Sequence, residues 1–326
     1  MKKLFISMLA VAALVSCSKE QTIVADKGEL IGFNSFVENA TRAAAATDPS
    51  YNASKLDHFT VYGTVNDVNI FGGIAVTKTG NVWSYTGNTQ YWIADALYKF
   101  AAVVDATSVT PDTTTGLPTE LSYTTSTQKD MLYDYVTTTG QPTTNDGLVA
   151  FQFTHLLSKV KFSVTNTTQS TATNYRIVVT EAKLTNVYPS GTYTVNGDAG
   201  TWTPATASEY ELEGLTVASA TTEYNSKEVL LIPGSAVGVY VKAEIQVSAD
   251  GGKNWTKVSE VEKPFTNVLG MTGETPNVLV ANNAYHFAVS LGIGTEIQFT
   301  ATALPDWNYD VNGDDVVDSK DNITLQ

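Results

Sequence analysis

The 326-residue sequence contains a single cysteine, Cys17. With one thiol no internal disulfide can form, so an exported form must be held together by core burial alone. Charge is also scarce. Asp, Glu, Lys and Arg make up 16% of residues, and 19 basic against 33 acidic side chains leave a formal net charge of −14. Such a body repels phosphate backbones and anionic headgroups, which argues against nucleic acid as a partner. Beyond the N-terminal segment, no apolar run approaches the roughly 20 residues of a membrane helix, so membrane attachment would have to go through lipid or other proteins. Catalytic signatures are missing as well. There is no His-Glu-x-x-His, no Gly-x-Ser-x-Gly, no phosphate loop and no Cys-x-x-Cys, and these are the arrangements that would announce metal, acyl-transfer, nucleotide or redox chemistry. Only three histidines are present, His58, His155 and His286, scattered among predicted strands. His155 and His286 lie among apolar and aromatic neighbours and are read as structural. A non-enzymatic protein is expected.

What is present begins with Lys2 and Lys3, an apolar run from Leu4 to Val15, and then Ser16-Cys17. These are the three parts of a cleavable export signal, and the run is too short to span a bilayer as a stable helix. A small residue just before a cysteine at the end of such a run resembles the bacterial lipoprotein signal, in which the thiol accepts a diacylglyceryl group and becomes the new N-terminus. Residues 1–17 are therefore read as a lipoprotein signal with Cys17 as the lipidation site. The alternative is an ordinary secretory signal with an incidental cysteine. Further on, SFVENATRAAAATDPS, residues 35–50, has no helix cap and no periodic apolar face. It reads as an exposed connector that presents Arg42 ahead of four alanines.

The bulk of the chain has strand periodicity. Val239, Val241, Ala243, Ile245 and Val247 alternate with Tyr240, Lys242, Glu244, Gln246 and Ser248, the pattern of a strand with one buried and one wet face. Similar alternation runs through Phe59-Val61-Val65, Tyr285-Phe287-Val289-Leu291 and Ile297-Phe299-Ala301, with turn signals such as Asn196-Gly197-Asp198, Pro233-Gly234 and Asp250-Gly251-Gly252 between strands. No long amphipathic helix is visible. In FQFTHLLSKVKFSV the apolar set moves from odd positions, Phe151 and Phe153, to even ones, Val160, Phe162 and Val164. A strand with one buried face cannot do this without a bulge or bend near Leu156 and Leu157. The polar connector TTTGQPTTNDG, residues 137–147, is the expected domain boundary, giving β-sandwiches at 43–147 and 148–326.

Several segments together resemble the fimbrillin family, the lipoprotein-derived type V pilins of Bacteroidota. They are IGFNSFVENATRA, QYWIADALYKFAAVV, QKDMLYDYV, FQFTHLLSKVKF, VLLIPGSAVGVYVKAEIQV and NNAYHFAVSLGIGTEIQFTATALPDW, spread over most of the chain. Each alone is a loose pattern; with the lipoprotein signal the set becomes specific. The resemblance implies an all-β chain of two transthyretin-like antiparallel sandwiches in tandem. It also implies a life cycle of lipidation, export to the outer surface, and cleavage by an extracellular arginine-specific protease. Here the matching bond is Arg42-Ala43, making residues 18–42 a propeptide. Within it, Ile31, Phe33 and Val37 share one face of a predicted strand that would leave after the cut and open a groove for a strand of another pilus subunit. Before the cut, the partner would be the membrane, through lipid on Cys17. The family's donor strand comes from the C-terminal end, where Val317, Ile323 and Leu325 form only a short apolar stripe. A tip or anchor role, or an uncleaved surface lipoprotein that binds glycan or calcium, is therefore the alternative to a stalk subunit.

The tail holds one further motif. DVNGDDVVDSKD, residues 310–321, places Asp310, Asn312, Asp314, Asp318 and Asp321 at loop positions 1, 3, 5, 9 and 12. That spacing resembles the Ca²⁺ loops of EF-hands and dockerins. Position 6 is Asp315 where the pattern needs glycine, and position 12 is aspartate where an EF-hand uses glutamate. An acidic solvated turn is the preferred reading, and Ca²⁺ the alternative. The aromatics Trp83, Tyr85, Tyr91 and Trp92 could form a sugar-stacking platform, but sandwich cores use such residues routinely. Core is expected.

Overall fold

The computed structural model describes residues 28–37, 56–167, 174–215, 224–271, 277–292 and 298–304. They are almost entirely β. The first sheet has seven strands in the order β1 (Phe33–Val37), β9 (Val149–His155), β8 (Leu132–Thr139), β5 (Leu97–Val104), β2 (His58–Val65), β3 (Val68–Thr79) and β4 (Val82–Tyr85). Its even β5 residues Phe100, Ala102 and Val104 enter a first core with Phe59, Phe71, Phe151 and Phe153.

A second core lies between two four-stranded sheets. One has the order β15 (Tyr224–Leu231), β10 (Ser158–Asn166), β18 (Ala284–Leu291) and β19 (Gln298–Leu304); the other runs β14 (Ser208–Glu211), β11 (Tyr175–Val187), β16 (Gly238–Val247) and β17 (Thr256–Phe265). Val160, Phe162, Val164, Phe287 and Val289 from the first of these meet Ile177, Leu184, Val239 and Val241 from the second. This is sandwich packing, with alternate side chains of each strand turned inward. A four-residue helix, α1 (Val268–Met271), follows β17. No helix of the described residues is long and apolar enough to cross a membrane.

A fourth sheet joins the two halves. Its order is β13 (Ala199–Pro204), β12 (Ser190–Asn196), β7 (Pro118–Thr124) and β6 (Ser108–Pro111), so two of its strands come from the N-terminal half and two from the C-terminal half. Beneath it is a third core of Ala101, Val103, Leu121, Tyr123, Tyr133, Leu156, Leu157, Tyr193, Leu230 and Ile232. β5 is thus buried on both faces, which explains its continuous apolar run.

The expected break in FQFTHLLSKVKFSV falls at Leu156-Leu157, between β9 and β10. It has a clear origin: Phe151 and Phe153 belong to the first core, Leu156 and Leu157 to the junction core, and Val160, Phe162 and Val164 to the second. Each change of core needs a change of phase. Residues 147 and 148, where the boundary was expected, lie between β8 and β9, which pair with each other in one sheet. Most pairings are antiparallel, with two exceptions: β1 runs parallel to β9, and β10 runs parallel to β18. Parallel neighbours cannot be joined by a hairpin, so each of these strands arrives from a distant part of the chain.

Candidate functional site

The strand predicted to be removable is β1 with the five residues before it. β1 lies at the edge of the first sheet, in register with β9 from Phe33 opposite Val149 to Val37 opposite Phe153. The Val149 amide donates to the Gly32 carbonyl at 2.9 Å. On its other flank the preceding chain is held by the segment after β4. The Ile31 amide donates to Gln90 O and the Trp92 amide to Glu29 O, each at 3.0 Å, and Leu30 bridges Tyr91. The Tyr85 hydroxyl donates to the Ile31 carbonyl at 2.8 Å. β4 and β9 are far apart in sheet order, so residues 28–37 stitch one side of the sheet to the other.

The side chains show what this closure buries. Ile31 is 1% exposed and Phe33 4%. The Phe33 ring has its centroid within 6.0 Å of those of Phe71, Tyr85, Phe100 and Phe151. Edge and stacked aromatic contacts of this kind add to the area-based stabilisation. Glycine at 28 is a steric need, because a Cβ there would lie 2.3 Å from the Trp92 carbonyl oxygen. Two fully buried side chains stabilise by roughly 3 to 6 kcal/mol together, set against a domain stability of about 5 to 15 kcal/mol. Beside this segment a cleft of about 270 Å³ lies between β1 and β4, lined by Leu30, Phe33, Val76, Trp83 and Tyr85 among others.

The four aromatics weighed as a sugar platform are spoken for. Trp92 is 7% exposed and packs on Tyr98, Trp83 packs on Phe59, and Tyr85 packs on Phe33 and Phe71. Tyr91 supplies the bridge to Leu30. His155, fully buried, has Nδ1 2.8 Å from Asp130 Oδ2, and His286 Nε2 is 2.8 Å from Ser163 Oγ. Both are buried, His155 completely and His286 at 5% exposure. Among the described residues no three His, Cys, Asp or Glu side chains gather as a metal site.

Of the predicted site residues, the structure brings Ile31, Phe33 and Val37 into one closing segment. Cys17, Arg42 and Ala43 lie outside the described residues, as do the donor candidates Val317, Ile323 and Leu325 and the loop residues Asp310, Asn312, Asp314, Asp318 and Asp321. Sequence reasoning missed the backbone half of the site: the pairing of Glu29, Leu30 and Ile31 with Gln90, Tyr91 and Trp92 left no local trace. Gly28 and Gly32 were the available signal, since glycines flanking an apolar pair suit a closely packed backbone.

No curated protein matches the sequence. Solved structures share its fold, three of them as follows. One is a fimbrial protein from Bacteroides vulgatus ATCC 8482, with TM-score 0.53 and 15% identity, covering 85% of this chain and 99% of that one. A candidate cell adhesion protein from Bacteroides ovatus ATCC 8483 aligns at TM-score 0.52 and 15% identity over 87% and 99%. Another from Bacteroides uniformis ATCC 8492 aligns at 0.50 and 18% over 81% and 96%. The sequence profile of a family described as fimbrillin-like matches residues 41–307. That match spans most of the chain, and the protein belongs to the fimbrillin-like family.

Proposed function

We propose that this protein is a structural subunit of a cell-surface fimbria that supports adhesion, exported as a lipoprotein on Cys17, cut after Arg42 and polymerised by strand exchange. Membership of the fimbrillin-like family supports the fimbrial part and a surface location. The observation that carries the rest is the closing segment. It lies just N-terminal to Arg42, is hydrogen-bonded on both flanks and buries Ile31 and Phe33.

Cutting the Arg42-Ala43 bond would free that segment from everything that follows it. Its departure would leave the β9 edge and the 90–92 segment with unpaired backbone groups beside an apolar groove. A strand from another subunit satisfies both defects at once, and a head-to-tail contact of this kind does not close on itself but builds a filament. The same cut would separate the body from the lipid on Cys17. In this reading the partners are other fimbrial subunits and an arginine-specific protease, and the stalk role needs a donated strand containing Val317, Ile323 and Leu325.

N-terminal sequencing of the protein recovered from intact cells tests the reading. Ala43 as the first residue is the expected result, and a blocked, acylated Cys17 on assembled protein would overturn it. Ca²⁺ binding at residues 310–321 is a separate proposal, resting on the loop spacing alone; calorimetric titration without heat at millimolar Ca²⁺ would remove it.

A further inference from the structure

β8 and β9 follow one another along the chain, yet their ladder is two pairs long. Leu132 lies opposite His155 and Tyr133 opposite Thr154, and no pair follows toward the connector. Continued in that register, Tyr135 would face Gln152 and Thr137 would face Ala150. The neighbouring strands fix where these backbone groups point. The Gly140 amide donates to Ala96 O at 2.8 Å, in step with the pairing of β5 and β8. Even-numbered residues of β8 therefore bond β5, and the odd ones, Tyr135, Thr137 and Thr139, turn their amides and carbonyls toward β9. The Val149 amide donates to Gly32 O, so odd residues of β9 bond the strand on its other side, and Ala150 and Gln152 turn their groups toward β8. Asp134 marks the start of the gap. Its carboxylate accepts the Gln152 amide at 2.7 Å, in the place that the Tyr135 carbonyl would take. From there a cleft of about 380 Å³ opens, lined by Val136 to Thr139 on one wall, Leu148 to Ala150 on the other, and the connector at its far end. Asp134 to Thr139 spans roughly 17 Å of strand.

We infer that this cleft is a binding site for a short neutral saccharide. Its volume lies within the roughly 300 to 1,000 Å³ of small-molecule sites. Both walls offer backbone amides and carbonyls side by side, so a matching ligand must carry donors and acceptors at close spacing. A sugar hydroxyl is both at once, as the hydroxyls of serine and threonine are. Thr137, Thr139 and Thr143 add hydroxyls to the lining and Asn145 an amide, while Val136 and Leu148 supply apolar surface for the C–H faces of a sugar ring. No ionisable side chain lines the cleft among the described residues. The two nearest carboxylates are engaged, Asp134 with the Gln152 amide and Glu29 with Gln141 Nε2 at 2.9 Å. A sialic acid, a sulfated sugar or a phosphate would find no cation there, on a chain whose net charge is −14, so the ligand is uncharged. Its length is limited as well. The Tyr133 and Thr154 pair closes one end of the gap and the 140–148 connector the other, so an added β-strand cannot run through, whereas a compact ligand enters from the face of the sheet. The inference gives the adhesion proposed above a ligand class, and the site requires neither cleavage nor polymerisation.

Binding of the full, uncut chain to an array of neutral and acidic oligosaccharides tests the site, followed by calorimetric titration with the neutral oligosaccharide that is retained best. Retention of neutral members over acidic ones is the expected result. Retention of none, or preference for acidic members, overturns the inference. Two variants then locate the binding. Thr137→Val with Thr139→Val removes two hydroxyls from one wall at nearly constant shape, at positions that are exposed, and Ala150→Leu narrows the gap from the other wall. Each is expected to weaken the neutral oligosaccharide at least fivefold while the thermal midpoint stays that of the parent. A smaller loss in the threonine variant places the saccharide elsewhere and overturns the inference. If Ala150→Leu lowers the midpoint, the threonine variant decides alone. Because the chain tested is uncut and unassembled, a negative result leaves the fimbrial reading standing, and a failure of cleavage at Arg42 leaves a bound saccharide standing.

Discussion

The first and second cores are closed in different ways. In the first, eight of the 17 described core residues are aromatic, and one of these rings, Phe33, comes from a segment that ends at Val37, well ahead of the next strand at His58, and is held by a parallel edge. In the second, four of the 25 described core residues are aromatic, and its parallel pair β10 and β18 sits in the middle of a sheet, each strand flanked on both sides. An edge strand can leave without breaking a ladder between the strands that remain; a central strand cannot. Of the two parallel-paired strands that close the cores, β1 alone could therefore leave with the rest of its sheet still paired.

The sharpest way to break this comparison is to remove the piece. A chain starting at Ala43 lacks β1 and should lose more stability than any single substitution in the first core, while forming dimers and longer species visible by light scattering. The Arg42→Ala chain, exposed to an arginine-specific protease, should stay monomeric. Assembly of that variant at the normal rate would disconnect the cut from polymerisation.

Phe33→Ala gives the next largest effect. It deletes the partner of four rings, at a cost of about 3 to 5 kcal/mol by denaturant titration of the intact chain. Phe287→Ala, in the middle of the second core, should cost a similar amount. The contrast appears after the cut. Phe33→Ala then has no effect on the stability of the released body, whereas the Phe287→Ala penalty persists. An equal penalty for Phe33→Ala before and after cleavage would mean that β1 stays in place.

Gly63→Ala probes the aromatic core more gently. A Cβ at 63 would lie 2.7 Å from the Phe100 ring and 3.1 Å from Phe71. Overpacking of this kind costs about 1 to 3 kcal/mol, less if the rings tilt. The matched change in the second sandwich is Gly252→Ala, where the nearest atom to a Cβ is 3.6 Å away on Trp255 but φ is +90°. Its penalty is backbone strain, so it should not depend on whether β1 is present.

Much of this architecture was legible in the sequence because a buried strand face repeats every second residue. Val239 to Val247, Phe59 to Val65 and Tyr285 to Leu291 all became strands of the expected phase. The break at Leu156-Leu157 was legible for the same reason, as a phase conflict with a definite location. Ile31 and Phe33 were legible as one buried face. Long-range pairing was not. That β1 lies parallel to β9, that residues 29–31 pair with 90–92, and that β6, β7, β12 and β13 form one sheet across both halves are choices among strands with similar patterns, decided by packing. The buried state of Lys159 and Lys161 was hidden for the opposite reason, since alternation assigns lysine to the wet face.

The smallest effect is electrostatic and again belongs to the seven-stranded sheet. His58, at the start of β2, lies with Nε2 3.5 Å from the nearly buried Asp105 carboxylate and Nδ1 2.7 Å from Asp57. Hydrogen bonding to Asp105, then to Asp57, outweighs partial burial and raises its pKa from 6.5 to about 9. Lys129 also faces Asp105, at 3.2 Å, and competes for the same carboxylate. Because the folded-state pKa is the higher one, the imidazolium stabilises the fold fully below about pH 6.5, and its contribution is lost as pH rises through about 9. With 42% of the side chain exposed, solvent screening limits this to about 1 kcal/mol or less. Urea midpoints of the parent and His58→Gln chains should therefore differ at pH 6 and converge by pH 9.5. A difference that stays constant across that range would show that His58 acts by packing, and that its charge contributes nothing to holding the start of β2.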